Sequence, residues 1–161
     1  MIITNKTLQK LAIVPLLLLI ACGQNNSNKK AIQSDNNITG KQIIKVGTFS
    51  TFPSEIEGCS CYFSNDTIEF KKGEYIYVND FAKTSFMKIN GTLTKFTQTD
   101  FKKVNDSTTV EKAKNEQYEL IIEVVNGIQS GEETMIKTGT IKLTDKNGVT
   151  VTKTFYGECG C

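Results

Sequence analysis

Five cysteines carry most of the chemistry this chain could do, and four of them form two matched pairs. Cys59 and Cys61 lie in "EGCSCYFS", and Cys159 and Cys161 close the sequence in "FYGECGC". In an extended strand, residues i and i+2 face the same side, so each pair would offer both sulfurs to one neighbour. Three chemistries compete for such thiols. Disulfides could staple the two segments together. Four thiolates could hold zinc in a tetrahedron, although structural zinc sites usually space their cysteines by two to four residues. An easily reduced bridge could serve thiol redox exchange. However, C-x-C is not the C-x-x-C of thioredoxin-like proteins, and no βαβ pattern adjoins it.

The disulfide reading comes with a register. If the two segments are adjacent antiparallel strands, Cys59 faces Cys161 and Cys61 faces Cys159 without adjustment. The two pairs would be successive same-face rungs, expected to alternate between wide and narrow kinds, so that one rung suits a bond and the other is strained unless Gly160 permits a bulge. Parallel pairing, Cys59 with Cys159 and Cys61 with Cys161, stays open, as does a single bridge. A bridge here would close a loop of about 100 residues, worth up to about 4.7 kcal/mol in the chain-entropy model.

Other catalytic chemistry is thin. The chain has no histidine, which removes Ser-His-Asp and Cys-His nucleophile systems and histidine acid–base work. Glu55/Glu57 and Glu132/Glu133 are paired carboxylates, but both pairs sit in polar, turn-like stretches that read as solvated surface. "DKNG" starts like a calcium loop, lacks the later ligands and reads as a hairpin turn. Tyr62, Tyr75, Tyr77 and Tyr156 could stack on sugars, although aromatic residues are enriched in strands for packing alone. No catalytic residue, metal or cofactor is expected.

The elements that would position the cysteines are short β-branched and aromatic runs broken by turn signals. "QIIKVG", "CYFS", "TIEF", "YIYV", "SFMKI", "TLTKF", "YELIIEVV", "MIKTGTIKL" and "VTVTKTFYG" read as strands. Asn90-Gly91, Asn126-Gly127 and "TDKNG" read as turns. Residues 98–116, "QTDFKKVNDSTTVEKAKNE", are polar and weakly periodic and read as a loop with some strand content. The pattern predicts an all-β domain, an antiparallel sandwich or barrel of about seven to eight strands. Its expected core is Ile44, Val46, Phe63, Ile68, Phe70, Ile76, Val78, Phe86, Ile89, Leu93, Leu120, Ile122, Val124, Ile141, Leu143, Val149, Val151 and Phe155.

The opening residues differ from the rest. A lysine-bearing flank leads into "LAIVPLLLLIAC", too short for a transmembrane helix and shaped like a secretory signal. "LIAC", Leu19 to Cys22, resembles the lipobox of bacterial lipoproteins. That resemblance implies cleavage before Cys22, lipid on its thiol and acylation of its new amino group. Two or three acyl chains would anchor the protein firmly, where one alone binds only marginally. Gly23 rather than Asp after the cysteine leans toward the outer over the inner membrane. Residues 22–40 then read as the lipidated cysteine and a flexible polar tether, and 41–161 as a single domain.

Removing residues 1–21 takes two of the 19 lysines and none of the 17 acids, so the mature side chains balance. With no net positive charge and no arginine, nucleic acid is not an expected partner. The expectation is a non-enzymatic binding or structural module in the cell envelope, facing the periplasm or cell surface. It would be membrane-attached through Cys22, stapled by disulfides, and partnered by an envelope protein or glycan. The alternative is a thiol-redox or metal-handling protein using the same four cysteines.

Overall fold

The computed structural model describes residues 43–161. The signal segment, Cys22 and the tether lie outside the described residues. The described chain forms nine strands and one short helix: β1 (Val46–Gly47), β2 (Ser60–Ser64), α1 (Thr67–Lys71), β3 (Tyr77–Asn79), β4 (Thr84–Ile89), β5 (Thr92–Lys103), β6 (Thr108–Lys114), β7 (Tyr118–Gln129), β8 (Thr134–Asp145) and β9 (Thr150–Gly160).

Strands β2 to β9 follow one another around a ring, each antiparallel to the next, and β9 pairs back onto β2. The result is a closed eight-stranded barrel with β1 outside it. β1 continues the ladder along β4 where β3 ends, with Val46 opposite Ile89 and Gly47 opposite Lys88. Local chemistry explains the meander. Asn90 and Gly91 both take positive φ, 50° and 87°, the two-residue hairpin turn that Asn-Gly favours. Asp145 accepts the backbone N–H of Asn147 and Val149, which bends the β8–β9 turn.

Alternation sorts the side chains. Along β7, Leu120 and Ile122 point into the barrel while Glu119, Ile121 and Glu123 point out. The same rule sends Phe63, Tyr77, Met87, Phe96, Ala113, Ile141, Leu143 and Phe155 inward, where they fill one half of the lumen. Fully burying one such large side chain contributes roughly 1.5–3 kcal/mol. Phe63 and Phe155 stack at 4.1 Å between ring centroids. They do so by lying over two glycines: a Cβ on Gly157 would meet the Phe63 ring, and one on Gly139 the Phe155 ring. Outside the barrel, Ile56, Val78 and Phe86 pack with Phe49, Phe52 and Tyr62 beneath the segment leading into β2. β3 is thus buried on both faces, which is why "YIYV" is apolar throughout.

The structure corrects several expectations. "TIEF" is not a strand but α1: the Asp66 carboxylate accepts the N–H of Ile68 and Glu69 and caps the helix. Ile68 is therefore exposed on that single turn, and Leu93 is exposed on the outer face of β5. Asn126-Gly127 is not a turn; β7 runs through it with a register shift to Gln129. Residues 98–116 are mostly strand, the end of β5 and all of β6. Their inward side chains are polar because of what they face.

Candidate functional site

β2 and β9 meet where the ring closes, and their register is Ser60 to Gly160, Cys61 to Cys159 and Tyr62 to Glu158. Both expected antiparallel disulfides are present. Cys61–Cys159 and Cys59–Cys161 have Cα–Cα separations of 4.0 and 4.1 Å. The expected difference between the two rungs does not arise, and no bulge separates them. Rungs alternate residue by residue, so rungs two residues apart are alike, and both cysteine pairs stand on narrow ones. The Cys61 N–H confirms the kind of rung: it donates away from β9, to Asn79 Oδ1 on β3. With all four sulfurs paired, no thiolate is left for zinc. Among the described residues no cluster of three or more His, Cys, Asp or Glu could hold a metal ion.

The Cys61–Cys159 bridge also lines a cavity of about 440 Å³. The packed half of the lumen ends at Phe63; beyond it the barrel is open at the end where the β3–β4, β5–β6 and β7–β8 turns lie. Five strands supply its polar wall: Asn79 from β3, Gln98 from β5, Thr109 and Glu111 from β6, Asn126 from β7 and Lys137 from β8. Phe63, Phe101 and Val124 supply apolar wall, and Phe81 stands on the rim. This volume lies within the usual range of small-ligand sites, about 300–1,000 Å³.

Glu111 is the centre of the polar wall. It is only 8 % exposed. Tyr77 Oη donates to its Oε1 at 3.1 Å, and Asn79 Nδ2 approaches its Oε2 at 3.5 Å. Burial raises its carboxyl above the ordinary range, and these two donors oppose the rise. Burial also pushes the Tyr77 phenol far up, so it keeps the proton it shares. The hydroxyl of Ser85, opposite Asn79 in the β3–β4 ladder, is buried near the Tyr77 phenol and has no hydrogen bond of good geometry among the described residues.

Lys137 lies elsewhere in the cavity wall and makes no ion pair with Glu111. Its Nζ donates to Asn126 Oδ1 at 2.7 Å and to Met135 Sδ at 3.3 Å. Burial lowers its pKa. On the rim, Phe81 has φ 56°, a left-handed conformation unusual for a bulky residue. The turn imposes it: Asn79 Oδ1 accepts the Phe81 N–H, and Asp80 Oδ1 accepts those of Ala82 and Thr84. Burial would raise the Asp80 carboxyl, but the backbone donors outweigh it and hold it below its usual value. Phe81 is thereby held 55 % exposed at the opening.

The other sequence candidates fall outside this cavity. Glu55, Glu57, Glu132 and Glu133 are exposed. Tyr62 and Tyr75 meet Phe52 and Phe70 on the outer face, and Tyr156 meets Phe70, while Tyr77 is inside. Sequence reasoning missed Glu111, Asn79 and Lys137. The available signal was the alternation Thr109, Glu111, Ala113, which breaks the apolar-inward rule.

Fold and site together define a disulfide-closed, up-and-down antiparallel barrel with a small-molecule-sized cup at one end. No family model matches the chain, and no curated protein or solved structure matches it either.

Proposed function

We propose that this protein is a lipid-anchored binding module of the bacterial cell envelope, with no catalytic chemistry of its own. It takes a small amphipathic molecule into the open end of its barrel. The observation that carries the reading is the cavity of about 440 Å³, walled by aromatic rings and a buried polar network. The lipobox "LIAC" supports attachment through Cys22, and two disulfides suit an oxidising compartment. A glycan or protein partner on the outer aromatic cluster is the less favoured version, because those rings already pack on one another.

The test uses N-phenylnaphthylamine, a neutral fluorophore that brightens in apolar sites. The oxidised protein is expected to bind one equivalent saturably. Thr109→Trp and Asn126→Trp, each placing an indole in the opening, should abolish that binding while the protein still melts cooperatively. Unchanged binding in both folded variants would sink the proposal. Replacing Cys22 by Ser should move the protein from the membrane to the soluble fraction.

The redox alternative rests on the outer bridge, whose Cys161 is exposed. It requires that bridge to be reduced at a mild potential with the barrel intact, which free-thiol titration against a dithiol buffer series reads directly.

A further inference from the structure

The hydrogen bonds around Glu111 have a direction, and it specifies the ligand. Asn79 Oδ1 accepts two backbone N–H groups, from Cys61 at 3.1 Å and Phe81 at 3.3 Å. Only the oxygen of that amide can do this, so its Nδ2 must face the other way. There it donates to Tyr77 Oη at 3.3 Å and toward Glu111. The Tyr77 hydroxyl has one proton and gives it to Glu111. Every link therefore ends on the Glu111 carboxylate, the terminal acceptor of the chain. Its two oxygens offer about four acceptor sites, and the described residues use two. Glu111 lines the cavity, where no lysine pairs with it.

We infer that the cavity's ligand is an amphipathic organic amine, its ammonium seated on Glu111 and its apolar body against Phe81, Phe101 and Val124. This rests on the reading of the cavity as a binding site and goes one step past it. Lys137 does not argue equally for an anion. Its ammonium already donates to Asn126 and Met135 and is only half-buried, so solvent can complete its needs. Glu111 cannot be hydrated to the same degree, so its unmet capacity is the stronger demand. An ammonium answers it with a charge-assisted hydrogen bond, roughly twice as strong as a neutral one.

The experiment compares three molecules of one shape: phenethylamine, phenethyl alcohol and hydrocinnamate. Each is titrated calorimetrically into the oxidised protein and used to displace N-phenylnaphthylamine. The amine is expected to bind about tenfold tighter than the alcohol, the gain of one charge-assisted contact, and the acid weakest. Glu111→Gln, which keeps the shape and an acceptor for Tyr77, should bring amine and alcohol within about threefold of each other. Equal binding of amine and alcohol by the parent protein overturns the inference. Tightest binding by hydrocinnamate does so too, and transfers the role to Lys137. The parent ranking stands without the variant, should that variant fold poorly. If all three fail while the fluorophore still binds, only this inference falls; if the fluorophore fails as well, the binding reading falls with it.

Discussion

Cys61 and Cys159 face each other with Cα atoms 4.0 Å apart on a narrow rung of the seam that closes the barrel. The outer pair, Cys59 and Cys161, sits two residues further along the same face. The two bridges span 98 and 102 residues, so their loops are nested. Either bond alone already closes the long loop; the second adds only a small ring. Replacing one pair by serine should cost about 2 kcal/mol, and replacing both should cost more than twice that, at least about 5 kcal/mol. Denaturant unfolding of the three variants checks this, and simple additivity would contradict the nesting argument.

The buried carboxyl of Glu111 gives a pH-dependent stability. Its folded-state pKa is raised above the unfolded value. The folded protein therefore holds that proton more tightly, and the associated stability is present at low pH and lost as pH rises through the folded value. Of the groups facing the cavity, the Tyr77 phenol is pushed far up by burial, Asp80 is held below its usual value by backbone donors, and burial lowers Lys137. In the empty protein, Glu111→Gln should melt higher than the parent at neutral pH. The gap should close as pH falls toward the ordinary carboxylate range, about pH 4. Thermal melts across that range measure it.

Gly157 is a steric requirement of the seam. A Cβ there would fall on the Tyr62 carbonyl oxygen and the Phe63 ring. Gly157→Ala should destabilise by about 2–3 kcal/mol through overpacking. Gly47 is the control: its added Cβ would meet only the Lys88 side chain and carbonyl, at 3.6 Å or more. Gly47→Ala should stay within about 0.5 kcal/mol of the parent.

Phe81 separates stability from binding. Its left-handed backbone costs free energy, and its exposed ring packs on little of the protein. Asparagine tolerates the same φ. Phe81→Asn should leave the melting temperature level or higher. It should also weaken N-phenylnaphthylamine binding about fivefold, the loss of one partly buried apolar contact. A variant that melts far lower and binds as before would assign the ring to packing instead.

The sequence was most legible where burial was complete. Leu120, Ile122, Ile141, Leu143 and Phe155 alternate cleanly because their strands pack against one another in the lumen, and the C-x-C segments pointed to the seam because two-residue spacing puts both sulfurs of a segment on one face, although parallel pairing and a single bridge stayed open. The reading failed where an inward face is wet. Gln98, Thr109 and Glu111 point into the cavity, so residues 98–116 lost the apolar period that marks a strand. α1 was hidden differently: "TIEF" is as β-prone as its neighbours, and only the cap at Asp66 makes it a turn of helix. Phe96 was overlooked because Lys95 and Thr97 flank it, and Met87 because Phe86 beside it was read as the core residue, although each sits at a strictly inward position.

The pairing of β2 with β9 also sets an order of events. β2 is the first of the ring's strands to leave a ribosome or a translocation channel, and β9 is the last. The wall cannot become continuous until everything between has emerged. Until then β2 shows an unsatisfied edge, and the thiols of Cys59 and Cys61 have no rightful mate. Assembly of this cup is therefore a single late step, and a chain arrested anywhere before β9 is an open sheet available to passing oxidants, chaperones and proteases.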